Sequence, residues 1–149
     1  MTKTEQIMQE LQDLLRLDDV LACMLAKKGL EGIIPPNTKI RQVELFKLVR
    51  DTTNELFDVI DQFYDYGMDR LNMELTNYTI IIAPVSRGFG LVVLIPALAN
   101  LGLLDVEIEN TRRRIKTIVM KEEPVKPDVE GSVPIQFQTG STPAQNSSF

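Results

Sequence analysis

The sequence contains no histidine, and Cys23 is its single cysteine. Without histidine, the chain lacks the commonest general acid–base group and every serine–histidine or cysteine–histidine nucleophile pair. One cysteine excludes an intrachain disulfide and a cysteine-based zinc site, and it fits a reducing compartment. We therefore expect a protein without catalytic activity, metal or cofactor. Catalysis by aspartate, glutamate, lysine or tyrosine is the alternative that the composition leaves open.

The sequence also lacks an excess of positive charge and a long uninterrupted apolar run. Its net charge is −5, whereas nucleic-acid-binding proteins usually carry a basic face. The most apolar stretch, residues 78–104, is broken by proline, glycine, arginine and asparagine, which does not fit a membrane span. The N-terminal segment is polar and amphipathic, unlike a signal peptide. We expect a cytoplasmic protein with no nucleic-acid partner and no membrane insertion.

The composition is that of one ordinary globular domain followed by a tail. The chain has 149 residues, of which 44% are hydrophobic and 25% charged. We place the domain at residues 1–120 and the tail at residues 121–149, which hold four of the eight prolines. Because such a segment buries little apolar surface, we predict that it is disordered. The alternation of Val133, Ile135 and Phe137 leaves a short strand or a docking patch as the alternative.

Hydrophobic periodicity predicts three helices in the domain. They cover residues 4–17, 38–66 and 100–119. Asn37 or Thr38 is a suitable N-cap for the long helix, Gly67 is a suitable C-terminal stop, and Asn100 is a suitable N-cap for the last helix.

Short β-prone runs between these helices predict five strands. They cover residues 20–26, 30–34, 68–75, 78–85 and 91–95. The order is then α-β-β-α-β-β-β-α, with hairpins that include the turns at Gly29 and at residues 86–90. This order predicts an α/β domain with a five-stranded, mainly antiparallel sheet and helices on both of its faces.

The long helix has a wider apolar arc than one packing face needs. Its predicted core stripe consists of Leu45, Leu48, Val49, Thr52, Leu56, Val59, Ile60 and Phe63. Phe46, Thr53, Phe57 and Tyr64 fall together on the shoulder beside that stripe. Because exposed aromatics in a row are unusual on a monomer, we predict that this shoulder is a dimer or partner interface. The alternative is that a helix over a wide sheet buries a broad face.

Two other groups of side chains are candidates for binding. Arg112, Arg113 and Arg114 are candidate contacts for phosphate or for an acidic partner, although their place late in a helix equally suits the helix dipole. The aspartates of the long helix are a solvated acidic face rather than a metal site. The glycine-rich segment at residues 86–90 lacks the Gly-Lys-Ser/Thr ending of a phosphate loop and is predicted to be a hairpin turn.

Three features of the sequence form one pattern: the element order, the strand–turn–strand segment at residues 78–94, and the Asn-Leu-Gly-Leu-Leu sequence at residues 100–104. In these features residues 5–118 resemble the Roadblock/dynein light chain domain family. This resemblance implies a non-catalytic module that dimerises through the long helix and the neighbouring strand. The Lys27-Lys28-Gly29 turn and the proline-bearing tail depart from the family pattern.

The resemblance implies a homodimeric scaffold or regulator that binds a small Ras-like GTPase or a larger signalling or motor assembly. The alternative is a stand-alone sensor or small-ligand-binding α/β domain of profilin or PAS type. A pocket with converging polar groups would favour the sensor, and a flat apolar helix surface would favour the scaffold.

Overall fold

The structure, a computed structural model, describes residues 1–36, 39 and 43–121. This part of the chain contains three helices and four strands. In chain order they are α1 (Lys3–Leu15), β1 (Ala22–Lys27), α2 (Val43–Tyr64), β2 (Leu71–Glu74), β3 (Tyr78–Ser86), β4 (Phe89–Pro96) and α3 (Leu101–Met120).

The strands of the described residues form one antiparallel sheet in the order β1-β4-β3-β2. The central strands β3 and β4 are buried along almost their whole length, as their continuous apolar runs require when both faces of a sheet are covered. The turn between them is formed by Arg87 and Gly88, and Gly88 adopts a φ of 75°, which favours glycine. The predicted hairpin at residues 86–90 is confirmed.

The helices cover both faces of the sheet, because successive side chains of a strand point to opposite sides. On one face, Cys23, Ile81 and Val93 belong to a core that also contains buried side chains of α1 and α3. On the other face, Met24 and Ile82 belong to a core that contains the buried side chains of α2. The expected placement of helices on both faces is therefore present.

The helix ends follow the signals in the sequence. Thr2 and Glu5 form a capping box at the start of α1, and the side chain of Asn100 accepts a hydrogen bond from the Gly102 N–H at 3.0 Å. At the end of α2, Gly67 has a φ of 82° and its N–H donates to Tyr64, which ends the helix as predicted. The predicted caps Asn37 and Thr38 lie outside the described residues.

The predicted fifth strand, at residues 30–34, is not formed. This segment makes one isolated bridge, in which Leu25 and Ile33 exchange two backbone hydrogen bonds. Continuing that register would place Pro35 opposite Cys23, where a strand would need an N–H that proline lacks. The sheet of the described residues consequently has four strands, and the element order is α-β-α-β-β-β-α.

The predicted tail lies outside the described residues, except for Lys121. Its predicted disorder and the domain boundary near residue 120 stay predictions. Within the described ranges, no helix combines the length and the apolar character needed to cross a membrane.

Candidate interaction surface

The line of α2 that faces the sheet includes residues predicted to form an interface. Thr53 and Phe57 are completely buried, together with Val49 and Ile60. The Phe57 ring lies so close to β4 that a Cβ added at Gly90 would be 3.6 Å from it. The Thr53 hydroxyl donates to the Val49 carbonyl oxygen at 2.8 Å, which satisfies this polar group inside the core. The prediction that Thr53 and Phe57 form an interface is wrong, because they pack within their own chain.

The two other residues of that predicted shoulder are partly accessible. Phe46 is half-buried and packs against the core on the α2 face of the sheet. Tyr64 is half-buried at the C-terminal end of α2. Both lie on the same side of the helix as the buried Phe57. A partner would therefore contact them at the edge of the surface by which α2 packs on the sheet. Their role stays a prediction.

The neighbouring line of α2 is exposed, although the sequence placed it in the core. Leu48, Val59 and Phe63 have exposed fractions of 60%, 47% and 54%. The remaining members of this side of the helix are half-buried. We call this surface the α2 flank, defined as Leu45, Leu48, Thr52, Leu56, Val59 and Phe63. It is an apolar surface that the described part of the chain leaves uncovered.

The edge strand β2 shares an apolar cluster with the α2 flank. Leu71 and Met73 are half-buried and pack against the same apolar cluster as Leu56. The Leu75 N–H donates to the Tyr78 carbonyl, which extends the β2–β3 register by one residue. By the alternation of an antiparallel ladder, the backbone groups of residues 72 and 74 then point away from β3. No other strand of the described residues pairs with this edge.

The three arginines of α3 differ in how accessible they are. Arg112 and Arg113 both donate to Glu109, at 2.6 and 2.8 Å, and Arg114 donates to Glu10 of α1 at 2.7 Å. The hydrogen bond from Arg112 is the main reason that the pKa of Glu109 is lowered to about 2. The Arg113 side chain is 70% exposed, against 19% for Arg112. Of the three candidates, Arg113 therefore offers the most surface to a partner.

The sequence offered no signal that selects which line of α2 is buried and which is exposed. An apolar arc of about half the helix has two edges, and a periodicity argument treats both alike. Which edge of the arc is buried depends on how the helix is rotated on the sheet. That rotation is set by tertiary contacts on the side of the helix opposite the α2 flank. There, Asp58 and Asp61 are tied to the ends of the sheet through Lys28 and Gly88.

Three grooves on the described surface are open to solvent. One lies between the turn at residues 28–31 and α2, one between α1 and α3, and one beside the end of α1. All three are open, whereas the small-ligand alternative requires an enclosed volume around converging polar side chains.

No protein-family profile matches the chain, and no curated protein matches its sequence. Solved structures do share its fold. A Roadblock/LC7 domain from Streptomyces avermitilis superposes with a TM-score of 0.57 and 13% identity, over 76% of this chain and 97% of that one. Myxococcus xanthus MglB gives a TM-score of 0.62 and 15% identity, over 76% and 94%. A structure described as MglB with a tetrameric arrangement gives 0.55 and 12%, over 79% and 90%.

These similarities agree with the observed order of helices and strands. At identities of 15% and below, they establish a shared fold and not a shared partner. The resemblance expected from residues 78–104 is confirmed at this level. The chain has the Roadblock/LC7 fold.

Proposed function

We propose that this chain is a non-catalytic, cytoplasmic homodimeric scaffold that binds a small Ras-like GTPase or a larger signalling assembly. The observation that carries the proposal is the α2 flank beside an unpaired edge strand. The fold supports the proposal, because the resemblance to Roadblock domains implies dimerisation through the long helix and the neighbouring strand. The description of one similar structure as tetrameric supports self-association in proteins of this fold.

Burial of the α2 flank against a second copy is energetically reasonable. Leu48, Val59 and Phe63 are each about half exposed. Burying half of such a side chain is worth roughly 1 kcal/mol. Six of them across a two-fold interface would contribute several kcal/mol before the cost of association is subtracted. In a two-fold arrangement, the α2 flank of one subunit packs against the α2 flank of the other.

The edge of β2 supplies a directional component to the same interface. The outward backbone groups of residues 72 and 74 match those of an antiparallel copy of the strand. Pairing them would extend the sheet from one subunit into the next and would cover an edge that is otherwise open to aggregation. The scaffold would then present a composite surface of two subunits to the GTPase.

The contribution of the edge strand is tested by two proline variants. Asn72→Pro removes an N–H that points to the open edge, so the fold should persist while the dimer dissociation constant rises about ten-fold or more. Met73→Pro removes an N–H that faces β3, and it should lower the thermal midpoint instead. Sedimentation equilibrium and circular dichroism provide the two readouts. An Asn72→Pro variant that dimerises as tightly as the wild type would contradict strand pairing.

The GTPase partner is tested separately. The purified chain is titrated with small GTPases of the same cell, each loaded with GTP and then with GDP, while binding is followed by calorimetry. The proposal expects one of them to bind the dimer, with a difference between the two nucleotide states. If none binds, the GTPase part fails even when the homodimer stands. Turnover of GTP or ATP by the pure chain would contradict a non-catalytic scaffold.

A further inference from the structure

Three aspartates at the C-terminal end of α2 are tied to the turns at one end of the sheet. Asp58 and Asp61 lie in the helix on the side opposite the α2 flank, and Asp65, directly after the helix, continues their spacing. The sequence suggested a solvated acidic face. In the structure Asp58 and Asp65 are indeed more than half exposed, and all three carboxylates also contact the turn after β1 or the β3–β4 turn through a hydrogen bond or an ion pair.

These contacts close a ring between the helix and the two turns. The Lys28 ammonium lies 2.6 Å from Asp58, and the Lys28 backbone N–H donates to the Gly88 carbonyl oxygen at 2.8 Å. The Gly88 N–H in turn donates to Asp61 at 3.0 Å. Arg87, beside Gly88, forms an ion pair with Asp65. Each turn is thus held both to α2 and to the other turn.

The ring lies where α2 has little other support. From residue 61 to residue 78, no described side chain is fully buried, whereas Phe57 and Ile60 just before are at the centre of the core. Tyr64 and Met68 are the half-buried apolar side chains of the last turn and the connection after it. Fewer apolar side chains are buried beyond Ile60. The hydrogen bonds and ion pairs of the aspartates therefore contribute more to the position of this end of the helix.

We propose that this ring is a latch that fixes the last two turns of α2 on the sheet, and with them the exposed positions Val59 and Phe63. The same turns carry the aspartates on one side and the α2 flank on the other, so movement at the latch displaces the flank. The consequence for dimerisation rests on the proposed function. The consequence for the position of α2 does not.

Asp61 is the element of the latch with the strongest individual contact. Its side chain is 16% exposed, and it accepts from a backbone N–H that a two-residue turn would otherwise present to solvent. The Arg87–Asp65 pair is more than half exposed, and such pairs contribute little alone. Removing the Asp61 carboxylate therefore opens the ring at its best-shielded point.

The experiment compares Asp61→Ala and Asp61→Asn with the wild type by amide hydrogen exchange and by sedimentation equilibrium. In Asp61→Ala, exchange should accelerate about ten-fold at the Gly88 amide and also at the Phe63 amide, and the dimer constant should weaken several-fold. Asp61→Asn keeps a carbonyl oxygen that can accept from Gly88, so its changes should be smaller. Asp51→Ala is the matched control on the same helix, since Asp51 lies outside the ring and forms an ion pair with its neighbour Arg50.

The outcomes separate the latch from the dimer. Faster exchange at both amides supports the latch, even if the wild type proves monomeric and the proposed function fails. Faster exchange at Gly88 with an unchanged Phe63 amide means that the contact is local, and it overturns the latch. Unchanged exchange at both amides overturns it as well, as does an equal response in Asp51→Ala.

Discussion

The two faces of the sheet differ in how completely they are covered. On the face of α1 and α3, the buried side chains of two helices meet those of the strands, including Leu11, Ile108 and Ile115 with no exposed surface. On the other face, one helix covers the sheet and leaves Leu48 and Phe63 more than half exposed. The sheet on the first face is completely covered within one chain, although α3 leaves Leu103 67% exposed and Val106 55% exposed. The second has an apolar surface that a partner can complete.

The ion pairs on the two faces also differ in where they lie. On the complete face, Arg114 joins α3 to α1 through Glu10, and Arg112 shares Glu109 with Arg113. On the α2 face, the ion pairs lie on one side of the helix and the apolar flank on the other. Interaction surfaces therefore cannot be located by residue type alone, since aromatic and charged residues occur in both roles.

The largest expected effect separates the two lines of α2. Phe57→Ala should destabilise the chain by about 3–5 kcal/mol, because it removes a fully buried ring from the core. Phe63→Ala should cost less than about 1 kcal/mol at concentrations where the chain is monomeric, because that ring is half exposed. Urea denaturation of both variants checks the pair. Equal losses would contradict the assignment of core and flank.

A smaller effect is expected at the start of α3, on the complete face. Asn100→Ala removes the acceptor of the Gly102 N–H and should cost about 1 kcal/mol. Asn100→Asp keeps an acceptor and should preserve the stability. Thermal denaturation of the two variants provides the measurement, and an Asp variant as unstable as the Ala variant would argue against capping.

The ion pairs of α3 should make stability depend on pH. The arginine contacts lower the pKa of Glu109 from 4.5 to about 2, so its contribution is present above pH 4.5 and is lost as the pH falls towards 2. Glu109→Gln should therefore cost up to about 1 kcal/mol at pH 7, and the difference from wild type should shrink towards pH 2. Urea titrations at several pH values test this. A difference that is constant with pH would contradict the assignment.

The smallest effect is expected for removal of the tail. A chain that ends at Lys121 should keep its thermal midpoint within a few degrees, because the sequence after it offers little apolar surface to bury. A fall of more than about 10 °C would show that the segment of Val133, Ile135 and Phe137 contributes to one of the two faces.

Most of the fold could be predicted from local signals. The helix stripe of Ile7 and Leu11, the Asn100 cap and the runs of β3 and β4 each act over a few residues, and they gave the elements close to their observed limits. The prediction of a fifth strand was wrong, although the signal against that strand was also local. Pro35 interrupts the hydrogen bonds that residues 30–34 would need to continue along β1.

The rotation of α2 could not be predicted in the same way. Phe57 and Phe63 are both aromatic residues on one wide apolar arc, and only contacts with distant parts of the chain decide which one is buried. The Phe57 ring packs beside Gly90 of β4, and Lys28 and Gly88 hold the opposite side of the helix. The buried line of α2 was thus expected on the correct helix but at the wrong edge of its apolar arc.

The mass of the chain in solution, measured with matched charged variants on the two faces, is the most direct test of the proposed dimer interface. Light scattering at tens of micromolar should give about twice 16.9 kDa for the wild type. Phe63→Asp should give a folded monomer, whereas Leu103→Asp, which changes an apolar position on α3 that is even more exposed, should remain dimeric. A monomeric wild type, or a Phe63→Asp variant that is still dimeric, would contradict the assignment of the α2 flank as the dimer interface.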